Sequence, residues 1–181
     1  VLPTLDVTDP SPICENTAGN ATVDLGTAIL NNTGTTPQYY TTQALANAGG
    51  AGNVPNPSAV QAGTYYVRVN DDADASCFAI EPILVIINDL PIVAIEPVNA
   101  ICAGEDITLT ASGGPSYSWS NGGGSGTTAT YTNLTSDQSY TVNVTDGNGC
   151  EGSDDITVTV NALPSLSLAF DCGANPSNGT G

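Results

Sequence analysis

Hydrophobic and polar residues alternate in short runs along most of the chain, and a period of two residues is the pattern of β-strands. In the run YTVNV at 140–144, Val142 and Val144 are predicted to face a core while the intervening residues face outward. Similar runs are IVAIE at 92–96, ITLTA at 107–111, SYSWS at 116–120, TATYT at 128–132 and ITVTV at 156–160. No convincing amphipathic helix is predicted, and residues 44–57, rich in Ala, Gly, Asn and Pro, are interpreted as a long loop.

One motif occurs twice. YYVRVNDDADASC at 65–77 and YTVNVTDGNGC at 140–150 both read Tyr, alternating valines, Asp, a polar turn and Cys. A Leu-Pro pair recurs at 2–3, 90–91 and 163–164, each time followed by a β-like run and a cysteine. Such self-similarity indicates a tandem array. The sequence therefore predicts one module over 1–88, a second over 89–161, and in 162–181 either the start of a third repeat or a tail that acts as a donor strand.

Each full module is predicted to be all-β. Roughly six or seven short strands around one central tryptophan, Trp119, are typical of a Greek-key β-sandwich. The Leu-Pro linkers are short, and proline restricts both itself and the residue before it, so the modules are expected to stack semi-rigidly.

The composition narrows the possible partners. The chain carries 18 acidic residues, no Lys or His and a single base, Arg68, which gives a net charge of −17. This charge argues against nucleic acid and anionic membrane surfaces as partners. No apolar run approaches the ~18 residues that a membrane helix needs, so membrane insertion is not predicted. Five cysteines favour an oxidising, extracellular location, and because residue 1 is Val we expect a targeting segment to have been removed already.

The second module resembles a known module type. The residues that carry the resemblance are Cys102, Gly104, Glu105, Thr108, Leu109, Tyr117, Trp119, Tyr140, Val142, Val144, Asp146, Asn148, Gly149 and Cys150. In this pattern the chain resembles the Ig-like, PKD-like modules of secreted surface proteins of Bacteroidota, which are strung in long arrays in adhesins and gliding-related proteins. The first module departs from the pattern, with Thr41 in place of the tryptophan and a turn two residues longer at 71–76. The resemblance implies an extracellular structural or adhesive role.

The cysteines fall at equivalent places in the two modules. One follows the first strand and the other follows the Tyr-Val-Val strand, and repeat equivalence favours the pairs Cys14–Cys77 and Cys102–Cys150, one internal disulfide in each module. Four cysteines allow three pairings, so spacing alone does not decide between them. Cys172 corresponds to the first cysteine of a further repeat. Its partner is expected in a missing third module, with an intermolecular bridge or a free thiol as alternatives.

The residue types present do not predict an enzyme. A chain without His or Lys cannot form a Ser-His-Asp or Cys-His arrangement, and its paired carboxylates lie at turns and strand ends, where solvated acids are ordinary. No cofactor is predicted. Calcium is a possible ligand, because oxygen donors alternate in two equivalent turns at Asp71, Asp72 and Asp74 and at Asp146 and Asn148. A turn without metal is the favoured interpretation of the same residues.

The sequence thus favours a non-catalytic, extracellular structural protein, a segment or subunit of a cell-surface filament or adhesin stalk whose partner is another copy or a neighbouring module. Leu166, Leu168 and Phe170 alternate on one side of a run that could complete a neighbour's sheet by strand exchange. The alternative is an adhesive module that binds host or environmental glycans or proteins through loops 44–57 and 121–126. Aromatic residues such as Tyr39 or Trp119 could then supply a sugar platform, although most of the aromatic residues are expected in the core.

Overall fold

The computed structural model describes residues 2–16 and 19–165. The first module consists of β1 (Leu5–Val7), β2 (Ile13–Cys14), β3 (Ile29–Asn32), β4 (Gln38–Tyr40), α1 (Gln43–Ala48), β5 (Gly63–Asn70), β6 (Phe78–Val85) and β7 (Ile87–Asn88), with a 3₁₀ turn at Leu25–Ala28. β1 pairs with β3, and β4, β5 and β6 form an antiparallel sheet. β2 lies parallel to β7, so the start and the finish of the module meet side by side.

The second module consists of β8 (Ala94–Ile95), β9 (Ile101–Cys102), β10 (Glu105–Ser112), β11 (Ser116–Trp119), β12 (Thr128–Leu134), β13 (Gln138–Thr145), β14 (Glu151–Val158) and β15 (Val160–Asn161). One sheet has the order β12-β10-β8 and the other has the order β11-β13-β14. The chain crosses between the sheets after β10, after β11 and after β12, which is how a Greek-key sandwich is connected. β9 runs parallel to β15, as β2 does to β7.

The predicted alternation is confirmed in the second module. Val142 and Val144 on β13 are fully buried, and they pack with Leu109 of β10 and Trp119 of β11 in one apolar cluster between the sheets. A second cluster fills the first module around Val67, Val69 and Ile83 of the β5–β6 hairpin. Each module therefore has its own core, and the predicted all-β architecture is confirmed.

A helix stands where the sequence predicts only a loop. Within the predicted loop 44–57, α1 is capped by the Thr42 hydroxyl, which accepts a hydrogen bond from the Leu45 N–H at 3.3 Å. Gly49 follows it with a φ of 74°. Six residues are too few for a helical hydrophobic period to be recognised in the sequence. The buried side chain of Ala46 packs the helix against the module. Its stability comes from tertiary contacts.

Arg68 on β5 supplies one of those contacts. It is the only basic residue of the chain and is just 7% exposed. Its Nη1 donates to the carbonyl of Ala46 at 2.7 Å, its Nε donates to Asn70 Oδ1 at 2.8 Å, and its guanidinium lies 3.8 Å from the centre of the Phe78 ring. A cation at the end of a helix satisfies carbonyls that the helix leaves without partners. The only basic side chain is therefore used inside the fold, and the charged surface is acidic.

Within the described residues, no helix is long and apolar enough to cross a membrane.

Candidate functional site

The candidate site is the junction between the two modules, where a disulfide joins Cys14 to Cys150 with the Cα atoms 5.5 Å apart. The predicted internal pairs Cys14–Cys77 and Cys102–Cys150 are therefore wrong. Cys77 and Cys102 are free thiols in the structure. The bond that forms connects the first module to the second, and neither described module has a disulfide of its own.

Strand geometry explains why the two cysteines of the first module do not bond to each other. Cys14 on β2 lies opposite Asn88 on β7, at the end of the first module where the chain leaves for the second. Cys77 closes the turn between β5 and β6, and these strands pair from Asn70↔Phe78 at that turn to Gly63↔Val85 at the other end. Eight residues of paired strand span about 25 Å, whereas the Cα atoms of a disulfide lie within about 7 Å. The two cysteines of the first module are thus at opposite ends of it.

The second module repeats this separation. Cys102 on β9 lies opposite Asn161 on β15, at the far end of the module. Cys150 closes the β13–β14 turn at the near end, and its Sγ lies 4.0 Å from the carbonyl oxygen of Asn88. Cys150 is completely buried. The junction therefore brings the strand cysteine of one module to the turn cysteine of the next.

The linker between the modules packs closely against the second one. A Cβ added at Gly152 would lie 2.6 Å from the carbonyl oxygen of Pro91, and a Cβ at Gly113 would lie 2.7 Å from that of Ile92. Both glycines therefore permit an approach that a side chain would block. The Ile95 N–H, just beyond, donates to the Asp154 carboxylate at 2.8 Å. The modules are joined by a packed linker and a covalent bridge together.

The acidic turns use their carboxylates to hold the backbone. Asp146 Oδ1 accepts hydrogen bonds from the N–H groups of Asn148 and Cys150 at 2.8 and 2.9 Å. Asp71 Oδ1 accepts from the N–H groups of Ala73 and Asp74 at 2.9 and 3.1 Å. Such contacts are those of the turn interpretation, in which the side chain bonds to its own backbone a few residues on.

Asp74, in the turn that begins at Asp71, accepts hydrogen bonds from the hydroxyl and the N–H of Ser76, and these hydrogen bonds lower the pKa of its carboxyl. Among the described residues, no group of three or more acidic or cysteine side chains is arranged to hold a metal ion. Calcium at Asp71, Asp72, Asp74, Asp146 and Asn148 stays a prediction for solution measurements.

Trp119 lies in the core, as the central position predicted for it indicates, and it therefore cannot serve as the sugar platform of the alternative interpretation. Trp119 is 5% exposed, and its indole N–H donates to the carbonyl of Gly126 at 2.9 Å, so its ring belongs to the core. Tyr39 is half-buried. A ring pair that the sequence did not indicate lies nearby: Tyr131 and Tyr140 stack with their centres 3.8 Å apart. Burial raises the pKa of both phenols.

Both loops proposed for binding line open grooves. A groove of about 420 Å³ lies in the second module. Its lining includes Asn121 and Gly122 of loop 121–126, the exposed polar residues Asn133 and Gln138, and Tyr131. A groove of about 320 Å³ in the first module includes residues 54–56 of the predicted loop 44–57, beside Tyr65. Cys172, Leu166, Leu168 and Phe170 lie outside the described residues.

Two separate cores, paired sheets and crossed connections define a tandem of Ig-like β-sandwiches. Sequence comparison agrees: residues 10–91 match the family described as the Flavobacterium inter-domain disulphide bond domain, and residues 89–164 match the Ig-like domain described as CHU_C associated. The resemblance to Ig-like modules of Bacteroidota is confirmed, and the name of the first family agrees with the bridge across the junction. These are module families of a generally non-enzymatic kind.

No curated protein matches the chain in sequence. Among solved structures, extracellular domains 3–5 of Drosophila OTK are similar at 12% identity, over 87% of this chain and 62% of that one, with a TM-score of 0.43. The insect immune protein hemolin is similar at 13% identity, over 89% of this chain and 47% of that one, with a TM-score of 0.40. This chain thus spans less than two thirds of either.

Proposed function

We propose that this chain is a segment of an extracellular, cell-surface stalk or filament in which bridged Ig-like modules form a stiff spacer. The observation that carries the proposal is the Cys14–Cys150 bond across the junction. A single linker permits two modules to swivel, whereas a second covalent connection beside it restricts that motion. The packed linker at Gly152 and Gly113 acts in the same direction.

The bridge also supplies a mechanical function. Its cysteines are 136 residues apart in the sequence, so tension applied at the two ends passes through the disulfide and bypasses the chain between them. At 3.3–3.6 Å per extended residue, the bypassed chain has a contour length of about 450 Å. A stalk segment built in this way stays short even when its modules unfold. The acidic surface suits a protein that faces the solvent and stays soluble.

Single-molecule pulling from the two ends tests this proposal. The oxidised chain is expected to extend little when its modules unfold, and reduction or Cys14→Ser is expected to release the additional ~450 Å. Cys77→Ser is the matched control, because its thiol is free, and it should extend like the unmodified chain. Equal extension before and after reduction would refute the mechanical function. Antibody labelling of intact source cells, with and without external protease, tests the surface location.

The polar groove at loop 121–126 favours a second candidate, adhesion to a glycan or a protein. Gln138 is exposed at the groove, and amide side chains can donate to and accept from sugar hydroxyls. Gln138→Ala is expected to abolish binding on a glycan array. Gln43→Ala, which changes an exposed glutamine of the other module, should leave the binding intact. Binding that survives Gln138→Ala, or no binding by the unmodified chain, would remove the glycan-binding form of this candidate.

A further inference from the structure

We propose that Cys77 and Cys102 are the two complementary halves of a further inter-module bridge, each bonding to a neighbouring Ig-like module as Cys14 and Cys150 bond to each other. This inference rests on the proposed function, in which Ig-like modules are joined in series. Cys102 is expected to form a disulfide with the turn cysteine of a following module, and Cys77 is expected to form one with the strand cysteine of a preceding module.

Cys102 repeats the setting of Cys14. Cys14 lies opposite Asn88 in a parallel pair, and the next residue along donates its N–H to the Asn88 carbonyl at 2.7 Å. Cys102 lies opposite Asn161 in a parallel pair, and the next residue donates its N–H to the Asn161 carbonyl at 2.9 Å. Both cysteines therefore sit at the end of their module where the chain leaves it.

Cys77 repeats the setting of Cys150 in the same way. The Asp71 N–H donates to the Cys77 carbonyl at 2.8 Å, and the Asp146 N–H donates to the Cys150 carbonyl at 2.9 Å. In both turns the aspartate side chain also holds the backbone. The two positions are equivalent, and one of them forms an inter-module bridge in this structure.

Each free thiol is more exposed than its bonded equivalent. Among the turn cysteines, Cys150 is completely buried and Cys77 is half-buried; among the strand cysteines, Cys14 is half-buried and Cys102 is exposed. By their strand pairing and turn hydrogen bonds, Cys14 corresponds to Cys102 and Cys77 corresponds to Cys150. A following module joined to the second as the second is joined to the first would bring its turn cysteine to Cys102, and a preceding module joined in the same way would bring its strand cysteine to Cys77. Within one chain the two thiols lie at outer ends of different modules and are not partners for each other.

The bond forms by thiol–disulfide exchange with a small-molecule disulfide such as glutathione disulfide. One protein thiolate attacks it and displaces one glutathione thiol, and the thiolate of the neighbouring module then displaces the second. Two protein thiols thus lose two electrons and two protons, and the glutathione disulfide becomes two thiols. The neighbouring module has two possible sources, a further part of the same polypeptide or a second copy of this chain. In a second copy, Cys102 of one chain would meet Cys77 of the next.

The test uses the full chain with Cys172→Ser to remove a competing thiol. Cys77→Ser and Cys102→Ser are made separately in this background and incubated in a glutathione redox buffer, alone and mixed. The mixture is expected to give a covalent dimer, with Cys102 of one variant bonded to Cys77 of the other in a non-reducing peptide map. Each variant alone is expected to remain monomeric. Equal dimerisation of either variant alone would overturn the complementary pairing.

A tandem fusion of two copies in one polypeptide tests the same bond without requiring two separate chains to associate. Residues 1–164 are followed directly by residues 4–165 of a second copy, so that the shared Leu-Pro linker is kept. Cys102 of the first copy and Cys77 of the second are expected to become protected from alkylation together. A bond in the mixture identifies a second copy as a sufficient partner, and a bond in the fusion alone identifies a module of the same polypeptide. Free thiols in both experiments overturn the inference, while the pulling experiment on Cys14 tests the proposed function independently.

Discussion

Replacing Cys14 with serine is expected to destabilise the second module, although Cys14 belongs to the first. The reporter is Trp119, the only tryptophan of the chain, which is buried in the core of the second module. Its fluorescence therefore follows the unfolding of that module in urea and is insensitive to the first. The measurement is made with free thiols alkylated beforehand, so that disulfide exchange does not occur.

The magnitude follows from where the bridge attaches. While the first module is folded, β2 and β7 hold Cys14 beside Asn88. The disulfide therefore ties residue 150 back to residue 88, and unfolding the second module produces a closed loop of about 60 residues, for which the chain-entropy model gives about 4 kcal/mol of stabilisation. Cys14→Ser opens that loop and should lower the free energy of unfolding by this amount. Because residue 14 is not in either core cluster, loss of packing adds little.

Cys102→Ser is the matched control. It removes a free thiol from an exposed position of the second module itself, and its effect on the Trp119 transition should stay within about 0.5 kcal/mol. An internal Cys102–Cys150 bridge would give the reverse result, with the large loss at Cys102 and none at Cys14. That outcome would refute both the pairing and the reasoning about loop closure.

Three further predictions concern the modules themselves. Arg68→Lys removes the guanidinium that links α1 to β5 and should cost the first module about 1–3 kcal/mol, measured by tyrosine circular dichroism while the Trp119 transition is unchanged. Gly123→Ala should destabilise the second module by about 1–3 kcal/mol, because the added Cβ would overlap the Tyr131 hydroxyl. Gly126→Ala in the same loop, with 3.5 Å to the nearest atom, should cost under about 0.5 kcal/mol, and urea titrations compare the two. Burial raises the pKa of the Tyr131 phenol above its ordinary 10.0. The stability that the protonated phenol contributes is therefore complete below pH 10.0 and is lost as the pH rises through the folded-state pKa. Tyrosinate absorbance follows the ionisation, and Tyr131→Phe should lessen the loss of stability at high pH.

Local periodicity was sufficient to predict the core of the second module. Val142 and Val144 alternate with polar residues and are fully buried, because a strand with one face on a core must alternate. α1 was not predictable in this way. Its six residues carry no helical period, and it depends on Arg68, which lies 22 positions from Ala46 in sequence. Contacts between residues so distant in sequence leave no local pattern.

The disulfide could have been predicted from the same strands, with one further step. Repeat equivalence showed correctly that Cys14 matches Cys102 and that Cys77 matches Cys150, but equivalence between modules does not say whether a bond lies within a module or between modules. Length decides it: the turn cysteine lies at one end of an eight-residue hairpin and the strand cysteine lies at the other, about 25 Å away. A disulfide spans less than about 7 Å between Cα atoms. Two cysteines at opposite ends of one β-sandwich therefore cannot bond to each other, which is why the Cys14–Cys150 bond runs from one module to the next.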